Sequence, residues 1–111
     1  FAQEKKMNTV KQLGVTDISE LYQNKNYIMI DVREPDEWVQ GVIPGVKKIS
    51  LGNIDKLLPT LDKNANYILV CRSGGRSDKA AGKMTEAGFK NIINFRGGML
   101  DWYSRNLPLE K

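Results

Sequence analysis

Apolar residues in this chain fall in short dense runs separated by amphipathic stretches. Tyr27-Ile28-Met29-Ile30-Asp31-Val32, Tyr67-Ile68-Leu69-Val70 and Asn91-Ile92-Ile93-Asn94-Phe95 are such runs. Little in them alternates between apolar and polar, so each reads as a strand covered on both faces, the habit of a parallel sheet. Gln12-Leu13-Gly14-Val15 and the region of Lys48-Ile49 read as two shorter strands. Between them the period changes. Ile18, Leu21 and Tyr22 fall at i, i+3 and i+4, with Thr16 placed to cap a helix that ends near Asn24-Lys25-Asn26. Pro35 suits the first turn of a helix within Arg33–Gln40, and the acids beside it favour the same end. Ile54, Leu57 and Leu58 have helical spacing until Pro59 cuts it off. Ala80, Ala81, Met84 and Ala87 form a narrow stripe on a helix expected from Asp78 to Ala87, with Gly88 as its C-terminal cap and Phe89 packing back. Gly97-Gly98 opens a closing helix through Tyr103, and Leu107-Pro108-Leu109 ends the fold.

This order implies an α/β fold: an open, mainly parallel five-stranded sheet with helices on both faces. At 111 residues the chain fits one domain with one core, expected over residues 12–111, after a polar, flexible N-terminal segment at 1–11. Neither internal repeats nor a nucleotide-binding fingerprint is visible.

Composition narrows the function classes. The net charge of +4 is modest, and Lys5-Lys6 and Lys47-Lys48 are the only basic doublets. A nucleic-acid binder would show a basic stripe interleaved with aromatics, so no nucleic-acid partner is expected. No stretch approaches the ~20 apolar residues of a membrane span. The chain starts at Phe1 rather than methionine; with Ala2 beside it, the start resembles the region of a signal-peptide cut, and an exported location is slightly favoured as an expectation.

With one cysteine there is no internal disulfide, and with no histidine there is neither a zinc site nor an imidazole base. No metal or organic cofactor is implied. Any nucleophile must be activated by its electrostatic surroundings. The cysteine stands in Val70-Cys71-Arg72-Ser73-Gly74-Gly75-Arg76-Ser77, between an apolar strand and a helix. A lone cysteine at a strand end is by itself a small buried hydrophobe. Here two glycines tighten a turn after it, and two arginines flank it. Strand, tight loop and helix aim successive backbone N–H groups and the helix dipole at one point, where a thiol loses its proton more easily. Cys71 is the candidate catalytic residue, and Arg72, Ser73, Gly74, Gly75, Arg76 and Ser77 are the candidate substrate-binding residues.

The Cys71–Arg76 loop resembles the active-site loop of the rhodanese family, sulfurtransferases that carry sulfur as a cysteine persulfide. Asp31-Val32-Arg33-Glu34-Pro35-Asp36-Glu37-Trp38, continuing through Gly41-Val42-Ile43-Pro44-Gly45-Val46, resembles that family's N-terminal signature, with Val42 where the family usually has histidine. Gly97-Gly98 with the aromatic helix and Leu107-Pro108 resembles its C-terminal end. The resemblance runs from about Val15 to Pro108. It implies that Cys71 takes sulfur from a small anionic donor such as thiosulfate and passes it to cyanide or a thiol, including a protein thiol, with Arg72 and Arg76 orienting the donor. The Val42 change is expected to alter packing or local polarity without abolishing transfer. Asp31 and Arg33 are read as a structural ion pair. Cysteine-dependent phosphatases resemble Cys-x5-Arg, whereas Cys71 to Arg76 is Cys-x4-Arg, a smaller cradle. A rhodanese fold serving only as a binding module usually lacks the cysteine that this chain keeps.

Overall fold

The computed structural model describes residues 9–111. Five strands form one sheet in the order β1-β5-β4-β2-β3: β1 (Val10–Leu13), β2 (Tyr27–Asp31), β3 (Lys47–Lys48), β4 (Asn66–Val70) and β5 (Asn91–Phe95). Every neighbouring pair is parallel. The helices are α1 (Val15–Leu21), α2 (Pro35–Trp38), α3 (Ile54–Leu57), α4 (Gly75–Glu86) and α5 (Gly98–Ser104).

Side chains alternate across β4 because successive residues of a strand point to opposite faces. Tyr67 and Leu69 join one buried cluster with Ile54 of α3 and Ala80, Ala81 and Met84 of α4. Ile68 and Val70 join the other, with Ile18 of α1 and Met99 and Trp102 of α5. Both faces of the central strands are therefore covered, which is why their sequences carry no in–out polarity. Edge-to-face aromatic pairs sit in each layer: Tyr67–Phe89 with centroids 5.6 Å apart, and Tyr22–Trp102 at 5.2 Å.

Several boundaries differ from the expected ones. The first strand is Val10–Leu13, and Gly14 is the single residue between it and α1. Gly14, extended at φ −94° and ψ −177°, is the N-cap, so Thr16 is already helical and its carbonyl accepts from the Ser19 hydroxyl at 2.7 Å. The expectation for the N-terminal segment falls largely on residues 1–8, outside those described; of its remainder, Val10 and Lys11 are strand. Pro59 does close α3, whose last α-helical residue is Leu57 with Leu58 as C-cap. It lies in a 3₁₀ turn, Leu58–Thr60, that continues directly from α3, as its fixed φ and missing N–H allow at the start of a turn. The third strand is Lys47–Lys48, one residue earlier than expected. The helix after the cysteine loop starts at Gly75, three residues before Asp78.

Carboxyl ends of parallel strands are where open α/β sheets build their sites. Cys71 directly follows β4, with β2 on one side and β5 on the other.

Candidate active site

The loop after β4 is held from below and from the side by backbone. The Met99 N–H donates to the Cys71 carbonyl at 2.8 Å, and the Leu100 N–H donates to that of Arg72 at 3.0 Å. This approach requires glycine at position 98: φ is +64°, and a Cβ there would lie 2.4 Å from the Arg72 carbonyl oxygen. Gly74 is the second such position. It caps α4 in the left-handed region at φ +97°, and a Cβ would lie 2.2 Å from the Arg96 carbonyl oxygen. The turn at Gly74 folds the chain back so that the N–H groups of Gly74 and, in the first turn of α4, Ser77 face the cysteine sulfur.

Cys71 is 1% exposed. Its Sγ accepts from the Gly74 N–H at 3.1 Å, and the Ser77 hydroxyl lies 3.4 Å away. Burial pushes the thiol's pKa up. The Ser77 hydroxyl and the N–H groups of Ser77, Ser73 and Gly74 together outweigh it and leave the thiol below its ordinary value. Iodoacetamide alkylation of Cys71 should therefore rise with pH through a midpoint below that of the unfolded chain, and urea should raise it. A native midpoint at or above the denatured one would contradict this.

The two arginines have different surroundings. Arg72 is exposed on the loop. Arg76 is in the first turn of α4, and its guanidinium forks onto Glu37 of α2, with both N···O distances at 2.7 Å. That pairing holds the Glu37 carboxyl down at about 2 and raises the Arg76 pKa. The guanidinium fork expected to face a donor is thus taken by a carboxylate, and the groups that reach Sγ are N–H and O–H donors. Ser73 and Gly75 are exposed, and Ser77 is buried beneath the sulfur.

Sequence reasoning noted Glu37 only as one of several acids at the start of α2. The available signal was its spacing from Glu34. The two form a reciprocal capping box, which fixes Glu37 on the first turn of α2, from which it reaches Arg76. Asn94 and Gln12 were also missed. Asn94 is a buried polar residue in an apolar strand, and it contacts the Ser77 hydroxyl. The Asp31–Arg33 pair is structural in its contacts: Nη2 of Arg33 lies 2.9 Å from Asp31 Oδ2, both side chains are buried, and none of their hydrogen bonds goes to Cys71. Val42 is 2% exposed and bridges to Glu110 near the C-terminus through paired backbone hydrogen bonds of 2.9 and 2.8 Å. Among the described residues no three metal-ligating side chains cluster, and no helix is long and apolar enough to cross a membrane.

Proteins similar to this chain are numerous. The chain is 35% identical over 100 residues to YtwF of Bacillus subtilis, which bears a sulfurtransferase name; the match covers 89% of this chain and 96% of that one. It is 28% identical over 92 residues to the thiosulfate sulfurtransferase GlpE of Pseudoalteromonas translucida, covering 83% and 88%. Among solved structures, the 30 kDa polysulfide-sulfur transferase homodimer of Wolinella succinogenes superposes with a TM-score of 0.77 at 33% identity, covering 91% of this chain and 78% of that one. The model of the rhodanese-like domain matches residues 15–105, and the chain belongs to that family.

Proposed function

We propose that this protein is a sulfurtransferase that carries sulfane sulfur as a persulfide on Cys71. The observation that carries this reading is the convergence of the Gly74 N–H and Ser77 hydroxyl on the Cys71 sulfur, with the Ser73 and Ser77 N–H groups also lowering the thiol's pKa. Donors arranged in this way stabilise a negative sulfur without a base, and the chain has no histidine to act as one.

The Cys71 thiolate attacks the outer sulfur of thiosulfate or a similar donor. The new S–S bond forms as the donor's own S–S bond breaks, and its electron pair leaves with sulfite. The negative charge then rests on the terminal sulfur of the persulfide, within reach of the loop N–H groups. Cyanide or a thiol attacks that sulfur and departs as thiocyanate or a new persulfide, returning the Cys71 thiolate. One site serves both halves, so the kinetics are ping-pong. Arg72, exposed on the rim, is the cation available to an anionic donor. Arg76 shapes the loop through Glu37.

The same geometry argues against phosphoryl chemistry. A phosphate clamp needs a free guanidinium fork, and that of Arg76 is held at 2.7 Å by Glu37. Intact-mass measurement after thiosulfate treatment tests the proposal. A gain of one sulfur atom, mapped to Cys71 and removed by cyanide, is expected, with negligible hydrolysis of an aryl phosphate. Absence of the adduct, with the protein folded, would sink the reading and leave a binding module.

A further inference from the structure

Asn94 lies in β5 between buried Ile93 and Phe95 at 2% exposure, and a buried amide needs partners for all its polar groups. Those partners form a chain whose direction is set from one end. Asp78, in the first turn of α4, offers only acceptors when ionised. The Gln12 amide nitrogen 2.8 Å from its Oδ1 is therefore the donor. That turns Gln12 Oε1 toward Asn94, whose Nδ2 donates to it at 2.8 Å and lies 3.3 Å from the Gly74 carbonyl oxygen. Gln12 and Asn94 meet because they are register partners in the β1–β5 pair. With Nδ2 so placed, Asn94 Oδ1 faces the Ser77 hydroxyl. That hydroxyl has one proton and three acceptors around it: Asn94 Oδ1, the Gly74 carbonyl at 3.2 Å and Cys71 Sγ at 3.4 Å.

We propose that Asn94 is a positioning residue: it competes with the Cys71 sulfur for the single hydroxyl proton of Ser77. The proposal rests on the reading of Cys71 as the sulfur-carrying nucleophile. While Cys71 is a thiol, its S–H points to Ser77 Oγ and the Ser77 O–H points to Asn94, so every group is satisfied. When the thiol loses its proton, the sulfur needs donors, and the Ser77 O–H reaches it only by leaving Asn94 Oδ1. The thiolate is thus less stabilised than the loop alone would make it, and a less stabilised thiolate is the stronger nucleophile. Once Sγ has bonded to an incoming sulfur, the charge moves to the terminal atom and the O–H returns to Asn94. The competition bears on the empty thiolate and not on the persulfide, which favours loading.

The charged groups around this cluster come from several elements. They are Arg76 of α4 with its partner Glu37 of α2 and Glu34 beyond, Arg72 of the loop, Arg96 after β5, Asp78 at the far end of the chain, and the mutually paired Asp31 and Arg33 after β2. A change at position 94 reaches them only through Gln12, whose Oε1 loses the Asn94 donor while its amide nitrogen keeps Asp78.

The test reads Cys71 directly and needs no sulfur donor, so its outcome is separate from that of the persulfide assay. In the full chain, the pH dependence of Cys71 alkylation by iodoacetamide is compared with that of Asn94→Leu, which removes the competing acceptor. The midpoint should fall by roughly half a unit to one unit, the worth of the neutral Ser77–Asn94 hydrogen bond that the hydroxyl no longer gives up to reach the sulfur. The rate on the high-pH plateau should fall about two- to threefold, following the weak dependence of thiolate reactivity on basicity. In a Ser77→Ala background the same change should leave the midpoint in place, because no proton remains to compete for. An unmoved or raised midpoint in folded Asn94→Leu, or an equal shift without Ser77, overturns the proposal. If the leucine variant does not fold, Asn94→Val carries the same test, since a β-branched residue suits β5 beside Ile92 and Ile93.

Discussion

Cys71→Ser is expected to end sulfur loading and to lower thiocyanate formation from thiosulfate and cyanide by at least roughly a thousandfold, the scale on which removing a nucleophile acts. The hydroxyl would sit where the sulfur does, 3.1 Å from the Gly74 N–H. The donors that bring a thiol below its ordinary pKa act on a group that already ionises near neutrality. A serine hydroxyl lies too far above that range for them to make an alkoxide. Stability should change by only about 1 kcal/mol, since the replacement is near-isosteric and its oxygen inherits the donors. Circular dichroism melting beside the thiocyanate assay separates the two effects. Because Cys71 is the only cysteine, turnover persisting in a folded Cys71→Ser protein would leave no residue to hold a persulfide, and the proposed function would fail with it.

The sheet was legible because burial on both faces leaves a compositional mark. Tyr27–Asp31, Asn66–Val70 and Asn91–Phe95 are strands where dense apolar runs predict them, and both helical layers cover them. Element ends were less legible. Thr16 has the chemistry of an N-cap but not the position, because the chain turns straight from β1 into α1 at Gly14. The early start of α4 has a similar cause. A pair of glycines reads as loop from composition alone, whereas Gly74 is a left-handed N-cap packed against the Arg96 carbonyl, and Gly75 is already helical.

The chemistry at the sulfur was legible in kind, since the loop sequence specifies N–H donors after a strand. The partners of those donors were not. Arg76 reads as a free cation next to a cysteine, yet its pairing depends on where α2 crosses the loop, thirty-nine positions away in the chain. Ser77 reads as one hydroxyl among several until the fold places Asn94 beside it, seventeen positions on. A local motif shows what a residue can donate or accept. Which acceptor wins is a property of the packed sheet.

Arg33→Met should be the most destabilising of the single changes considered, by about 3–5 kcal/mol, because it strands a buried carboxylate. That is a large part of the ~5–15 kcal/mol that holds a domain folded. Asp31 is 0% exposed and Arg33 2%. The Arg33 Nε contacts both Asp31 oxygens at 3.0 and 3.1 Å, while Nη2 also donates to the Gly41 carbonyl at 3.0 Å and Nη1 to the Tyr103 hydroxyl at 3.1 Å. Trp38 Nε1 donates to Asp31 Oδ1 at 3.2 Å. Adding Asp31→Asn to Arg33→Met removes the stranded charge and should restore part of the loss, which urea unfolding of the two variants will measure. The pair does more than close the sheet end. Arg33 and Gly41 bracket α2, so their contact holds the helix that carries Glu37, and Glu37 holds Arg76 at the mouth of the cysteine loop. Turnover per folded molecule should therefore fall only modestly in Arg33→Met, with Cys71 still able to load sulfur. A loss as deep as that of Cys71→Ser, in protein still folded, would instead place Arg33 in the chemistry itself.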